Sequence, residues 1–311
     1  PPQRPDPPTH PPTTYLWVRL SALSVSLRSL GRVQEQLGFD FGAMPRKLVR
    51  VTPSKLANWA DCPRRYRMAY LDRPSPPRGG AWAHNTLGAV VHNALKALFD
   101  LPADKRSPEQ AVALVHRQWK NDGFRDQEQA AVYRERADGW VRDYVSDLDT
   151  SIEPVGVERW VSTPTSKIVA EGRVDRIDLR DGELVIVDYK TGRHALTVDD
   201  ARGSQALALY ALAARRTLRK PCTRVELHHL PTGTVSAWDH TDESLGRHVS
   251  RAEEAADELS LATDTLTAGG DPEILFPPRT GRQCTWCDFR RSCPDGQQAA
   301  PSLDPWAMLA P

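Results

Sequence analysis

The chain has 311 residues, 40% of them hydrophobic and 26% charged, with a formal net charge of +1. That is enough for one large domain or two small ones with a real core, and the near-neutral balance excludes a strongly basic, non-specific nucleic-acid binder while leaving local basic patches open. No apolar run approaches the roughly 20 residues of a membrane span and no secretory leader is visible, so no membrane association and a cytoplasmic location are expected.

Residues 1–43 differ from the rest. PPQRPDPPTHPP is proline-rich and unsuited to regular structure, and Tyr15 to Gly38 is only weakly amphipathic. The expectation is a disordered or non-native extension, with Met44 as the natural start. Thr52-Pro53-Ser54 signals a helix start, with a capping hydroxyl and proline in the first turn. Leu56 and Trp59 give that helix an inner face, and Asp61-Cys62-Pro63 interrupts it before Arg64 to Tyr70 continue. After an SPPRGG loop, Thr86 to Phe99 is predicted as a helix whose stripe is Leu87, Val91, Leu95 and Leu98. His92 stands at the edge of that stripe, where a histidine by itself is more often a packed core residue than a ligand. Helical patterns continue over residues 107–120 and 127–149, where Arg134, Arg136 and Arg142 form a solvated face.

Val155 to Val161 and Lys167 to Ala170 predict a first strand and the approach to a hairpin, and Glu158 is the one acid there that would support a site. The hairpin itself runs from Glu171 to Gly192, EGRVDRIDLRDGELVIVDYKTG. Asp181-Gly182 is the favoured two-residue type I′ turn between strands rich in Val, Ile and Leu. With those two residues as the loop, Asp175 falls opposite Asp188, and Lys190 shares their face two residues on. Ile177, Leu179, Leu184 and Ile186 make the rest of that face apolar. Cross-strand Cβ atoms lie roughly 5 Å apart, and two carboxylates that close repel unless a proton or cation intervenes. Mg²⁺ or Mn²⁺ suits hard oxygen ligands, and Lys190 would orient or polarise an attacking water. The alternative is a solvated hairpin tip with a surface ion pair.

Residues 193–203 are predicted as a loop whose Arg193, His194 and Arg202 would meet phosphate. A helix from Ser204 to about Leu218 carries Gln205 and Tyr210. Val225 to Leu230 and Thr234 to Trp238 form a second strand pair, and Asp242 to about Thr265 a charged amphipathic helix. No P-loop occurs, which excludes a helicase motor within these residues. Cys284-Thr-Trp-Cys287 and Cys293 form a compact thiolate group that needs a fourth ligand, with Cys62 and Cys222 as candidates. Iron–sulfur and a structural Cys₄ zinc site both suit that chemistry.

Gly172-x-x-Asp175-Arg176-Ile177-Asp178 followed by Asp188-Tyr189-Lys190-Thr191-Gly192 resembles the RecB-like branch of the PD-(D/E)XK nucleases. Gly88-x-x-x-His92 is similar to that branch's histidine motif and Gln205-x-x-x-x-Tyr210 to its QxxxxY motif, in the same order. The resemblance implies an α/β fold with a mixed central sheet, an αβββαβ restriction-endonuclease-like core flanked by helices and closed by a C-terminal four-cysteine cluster. It implies a nuclease domain over residues 44–300 with a tail at 301–311. It further implies catalytic roles for Asp175, Asp188, Lys190, Gln205 and Tyr210, and a metal held by His92, Asp175, Asp188 and the Tyr189 carbonyl.

Cys62-Pro63-Arg64-Arg65-Tyr66 resembles the isolated N-terminal cysteine of iron–sulfur RecB-like nucleases such as the AddB subunit and Cas-type adaptation nucleases. In that subgroup Cys62, Cys284, Cys287 and Cys293 would hold a 4Fe-4S cluster and staple the two ends of the domain, with Cys222 left as a buried thiol. Arg64, Arg65, Arg279, Arg282, Trp286, Arg290 and Arg291 would guide a single strand. The implied function is a Mg²⁺- or Mn²⁺-dependent DNA exonuclease in repair or recombination. The alternatives are a DNA-end-binding module working with a helicase partner, or a CRISPR spacer-processing nuclease.

Overall fold

The computed structural model describes residues 48–309, so the expected extension at 1–43 and the start at Met44 lie outside the described residues. In chain order the elements are β1 (Val49–Val51), α1 (Pro53–Asp61), α2 (Pro63–Tyr70), α3 (Ala83–Phe99), α4 (Pro108–Gln118) and α5 (Gln127–Ser146). Next come β2 (Gly156–Pro164), β3 (Ile168–Arg180), β4 (Glu183–Lys190), α6 (Val198–Gly203) and α7 (Gln205–Leu218). The chain continues with β5 (Cys222–His229), β6 (Thr234–Asp239), α8 (Asp242–Thr267), α9 (Pro272–Leu275) and α10 (Pro294–Ala299). Side-chain caps set many of the helix starts: the Thr52 hydroxyl accepts from Lys55 N–H at 3.2 Å and the Ser204 hydroxyl from Leu207 N–H at 3.3 Å. Among the described residues no helix is long and apolar enough to cross a membrane.

The strands form one mixed sheet of order β1-β3-β4-β5-β6, with β2 also paired to β3. β2, β3 and β4 pair antiparallel in sequence, β4 and β5 pair parallel across α7, and β1 pairs parallel with the start of β3. The core is therefore α/β with helices on a mixed sheet, as expected. The turn sets the hairpin register: Asp181 and Gly182 have φ of 50° and 87°, and Arg180 pairs with Glu183, Leu179 with Leu184 and Ile177 with Ile186.

Two apolar layers sandwich the sheet. Val185, Val187 and Tyr189 pack with α3, α4 and α5, whereas Leu184, Ile186 and Ile177 pack with α7. β4 is thus buried on both faces, because parallel pairing with β5 places it mid-sheet. Each such aliphatic side chain contributes roughly 1.5–3 kcal/mol by burial. The expected face of alternating apolar residues is interrupted in two places. Leu179 is 37% exposed, and Val174 and Ile177 share the α7 layer although they are three residues apart. A strand of period two would put them on opposite faces.

The expected loop over 193–203 contains α6. Thr197 and Asp200 form a reciprocal capping box there, and that local signal is enough to start a short helix. Residues 301–309, set apart above as a tail, pack on the domain. Leu309 joins the α3–α5 core layer, and the Pro305 carbonyl accepts from Ala83 N–H at 3.0 Å.

Candidate active site

The break in alternation falls where the acids lie. Along β2 and β3 the pairs Val157–Arg176 and Arg159–Val174 flank an unpaired Glu158 and Asp175, and the β3–β4 ladder stops at Arg176–Val187, one step short of Asp175 and Asp188. Glu158 has φ of 48°, a left-handed conformation that a glutamate adopts rarely and at a cost of order 1–3 kcal/mol. Carrying the register through places Glu158, Asp175 and Asp188 in one row across three adjacent strands. The strands open there, and Asp175 fills the gap: its Oδ2 accepts Tyr189 N–H at 2.9 Å, in place of a ladder bond.

His92 reaches this row from α3. Its Nε2 lies 3.0 Å from the Tyr189 carbonyl oxygen and its Nδ1 lies 3.3 Å from Asp175 Oδ2. A carbonyl only accepts, so Nε2 carries a proton, and the carboxylate makes a second proton on Nδ1 favourable. Burial disfavours the charged ring, but the bond to Asp175 and the charges of Asp175 and Asp188 outweigh it and raise His92 above its ordinary range. Burial likewise pushes the Asp188 carboxyl up; Asp175 adds to this and Lys190 opposes it. The Lys190 ammonium is turned onto Asp188 Oδ2.

One oxygen or nitrogen from each of His92, Glu158 and Asp175 falls within 4.8 Å of the others. This is the one such group of three among the described residues, and an imidazole with two carboxylates is a donor set that suits Mn²⁺ or Mg²⁺. Glu158, expected only as a supporting acid, lies within this group of three. Its signal is an acid on the strand preceding the hairpin, but only the register places it beside Asp175. Asp188 lies outside that triad, turned to Lys190, and the Tyr189 carbonyl is engaged by His92.

Two glycines of the quoted motifs have steric reasons. A Cβ on Gly172 would sit 2.6 Å from Tyr210 Cε1, so the glycine lets the Tyr210 ring lie on the sheet. A Cβ on Gly88 would come 3.2 Å from Thr191 Oγ1. Tyr210 lines the same cleft as His92 and Asp175, and burial followed by the charges of Asp188 and Asp175 pushes its hydroxyl up to about 12. It stays a neutral hydrogen-bonding group. Gln205 is directed elsewhere, its amide 3.5 Å from the His248 carbonyl on α8.

Cys62, Cys284, Cys287 and Cys293 line one small cavity. A methyl added to Gly296 would stand 3.4 Å from Cys293 Sγ and 3.6 Å from Cys284 Sγ, so this glycine leaves room beside the sulfurs. Cys222 instead lies in the α7 core layer, and burial pushes its thiol up to about 12. Several arginines expected to guide a strand hold this region together. Arg64 is bridged to Glu273 and Asp295, Arg279 donates to the Ala60 carbonyl at 2.7 Å and Arg290 to the Gly296 carbonyl at 2.6 Å. Of the loop cations, Arg193 donates to the Leu309 carbonyl at 2.6 Å and Arg202 stacks on Trp238. Guanidinium groups find backbone carbonyls and carboxylates whenever chain ends converge, which sequence spacing does not show.

An acid row at an opened β-hairpin, with a histidine and a lysine beside it, has the donors to hold a divalent cation. The chain belongs to the PD-(D/E)XK nuclease superfamily, whose model matches residues 50–294. No curated protein matches the sequence. Among solved structures, a Eubacterium rectale protein named an exonuclease by inference is similar at 10% identity, covering 69% of this chain and 81% of that one with a TM-score of 0.45. The protein SSO0001 is similar at 14% identity, covering 81% and 89% with a TM-score of 0.36.

Proposed function

We propose that this chain is a RecB-like, Mg²⁺- or Mn²⁺-dependent deoxyribonuclease that works as an exonuclease at DNA ends or on single strands, in repair or recombination. The observation that carries this reading is the convergence of His92, Glu158 and Asp175 within 4.8 Å, with Asp188 and Lys190 beside them. His92, Glu158, Asp175 and Asp188, with the Tyr189 carbonyl once His92 releases it, would hold the cation. A divalent ion bound there polarises the scissile phosphate and lowers the pKa of an attacking water. Asp188 holds the Lys190 ammonium at the hairpin end, where it orients that water and offsets charge developing on the phosphate. Tyr210 lines the cleft from α7, and its hydroxyl, neutral at pH 7, would donate to the substrate.

The reading extends to the cysteines: Cys62, Cys284, Cys287 and Cys293 line one cavity and would hold a 4Fe-4S staple, with a structural zinc as the alternative that the same four thiolates suit. Cys62 would join the N-terminal helices to the C-terminal thiolates across that cavity.

The test is the purified protein with end-labelled single- and double-stranded DNA in Mg²⁺ or Mn²⁺. The wild type should shorten the strands, and Asp188→Ala should abolish cleavage while keeping the fold. Intact DNA in both metals would overturn the proposal, and wild-type turnover by Asp188→Ala would overturn the assignment of the site.

A further inference from the structure

The acid row opens into a cleft of about 590 Å³, within the size range of small-ligand sites. Its walls include Trp160, which neither metal binding nor hydrolysis explains. Trp160 on β2 is 55% exposed, and among the described residues it is the only aromatic among the exposed large hydrophobics. Covering an indole would add roughly 1.5–3 kcal/mol of burial, which the fold forgoes here.

The position is specific. Trp160 pairs in register with Arg173, two residues along β2 and β3 from Glu158 and Asp175, or about 7 Å at strand rise. The Arg173 side chain is 65% exposed, and Glu158 Oε2 accepts from its Nε at 2.7 Å. An acid of the site thereby anchors a cation at the rim beside the indole. The same cleft is lined by Gly88, Ala89, Thr52 and Ser54. Small residues in a lining with an exposed ring leave space for a flat group, and a cation beside it suits a phosphate.

We propose that Trp160 is a stacking platform for an unpaired nucleobase adjacent to the scissile phosphate, which makes the cleft selective for single-stranded DNA. This rests on the nuclease reading above and supplies its strand preference. Base–aromatic stacking contributes about 1–3 kcal/mol, and drawing a paired base out of a duplex costs a few kcal/mol. A splayed base therefore gains from Trp160, whereas a duplex has no net return from reaching it. Arg173 meets the neighbouring phosphate and sets the base over the ring.

The experiment compares wild type, Trp160→Ala and Trp160→Phe on a fluorescent 12-mer, as single strand and as blunt duplex. Anisotropy with Ca²⁺ reads binding and gel assays with Mg²⁺ or Mn²⁺ read cleavage. Trp160→Ala should weaken single-strand binding by about 5- to 150-fold, the equivalent of 1–3 kcal/mol. Trp160→Phe should keep most of the affinity, and duplex binding should change by less than about twofold. One abasic nucleotide walked along the strand should reproduce the wild-type loss at one position and have no effect there on Trp160→Ala. Equal losses on both substrates, or undiminished sensitivity of Trp160→Ala to that abasic site, would overturn the inference. A wild type that shows the Trp160 contrast in binding yet cuts nothing sinks the nuclease reading alone. Cleavage of single strands with no effect of Trp160→Ala sinks only the stacking role.

Discussion

Gly172→Ala tests whether the strand motif and the α7 tyrosine act as one unit. The added methyl would lie 2.6 Å from Tyr210 Cε1, 3.2 Å from its hydroxyl and 3.3 Å from Cζ. Non-bonded carbons prefer about 3.5–4.0 Å, so the ring must retreat by about 1 Å. Gly172 is held on its other side by its pairing with Val161, so the tyrosine has to move. Overpacking of this kind costs about 1–3 kcal/mol. At about 2–4 °C per kcal/mol for a domain of this size, thermal unfolding should begin about 2–12 °C lower. Because Tyr210 adjoins Asp175 and Asp188, a displacement of this size should also slow cleavage by on the order of 10². In a Tyr210→Ala background, Gly172→Ala should lower the unfolding temperature far less than it does in the wild type. Unchanged melting and turnover in Gly172→Ala would refute the steric coupling.

Against the opposing effect of burial, Asp175 and Asp188 raise His92 above its ordinary range, so a cation that takes its ring nitrogen must displace a proton. Mn²⁺ affinity should therefore rise with pH through the neutral range, by up to about tenfold per unit for each proton displaced. Calorimetric titration at pH 7 in two buffers of different ionisation enthalpy should show proton release, and identical heats would contradict the His92 assignment. Protein purified without oxygen should be brown with about four irons per chain. Cys62→Ala should bleach it and loosen both ends of the domain to protease, while Cys222→Ala keeps the colour; a colourless protein with one zinc would defeat the iron–sulfur reading. His240 is buried, and burial followed by the His248 charge lowers its pKa to about 4. The unfolded ring takes a proton near pH 6.5 and the folded one only near 4, so stability falls as pH falls between those values. From pH 6.5 to 5 the loss from this residue is about 1.5 kcal/mol, because the unfolded ring is already half charged at pH 6.5 and a full unit is worth about 1.36 kcal/mol. Urea unfolding of His240→Asn should be flatter by that amount, and parallel acid limbs in the two proteins would rule it out.

Short-range chemistry made much of this molecule legible before any coordinates. The Asp181-Gly182 turn specifies its own backbone and with it the register from Arg180–Glu183 to Arg176–Val187, which leads to Asp175 and Asp188 one step on. Thr52 and Ser204 mark helix starts because a hydroxyl satisfies an N–H three residues on. Spacing also brought His92 to the edge of its apolar stripe. Tertiary structure alone decided what depends on partners distant in the chain. Glu158 joins the site because β2 pairs with β3 and its backbone turns left-handed, a conformation no propensity assigns to glutamate. Which cysteine faces the C-terminal three depends on where the ends of the domain meet: Cys62 lines their cavity and Cys222 lies in the α7 layer. Arg64, Arg193 and Arg279 read as free cations until packing supplied carboxylates and carbonyls for them. Trp160 is exposed for the same reason: an apolar residue stays on the surface when the elements folded around it leave a cleft.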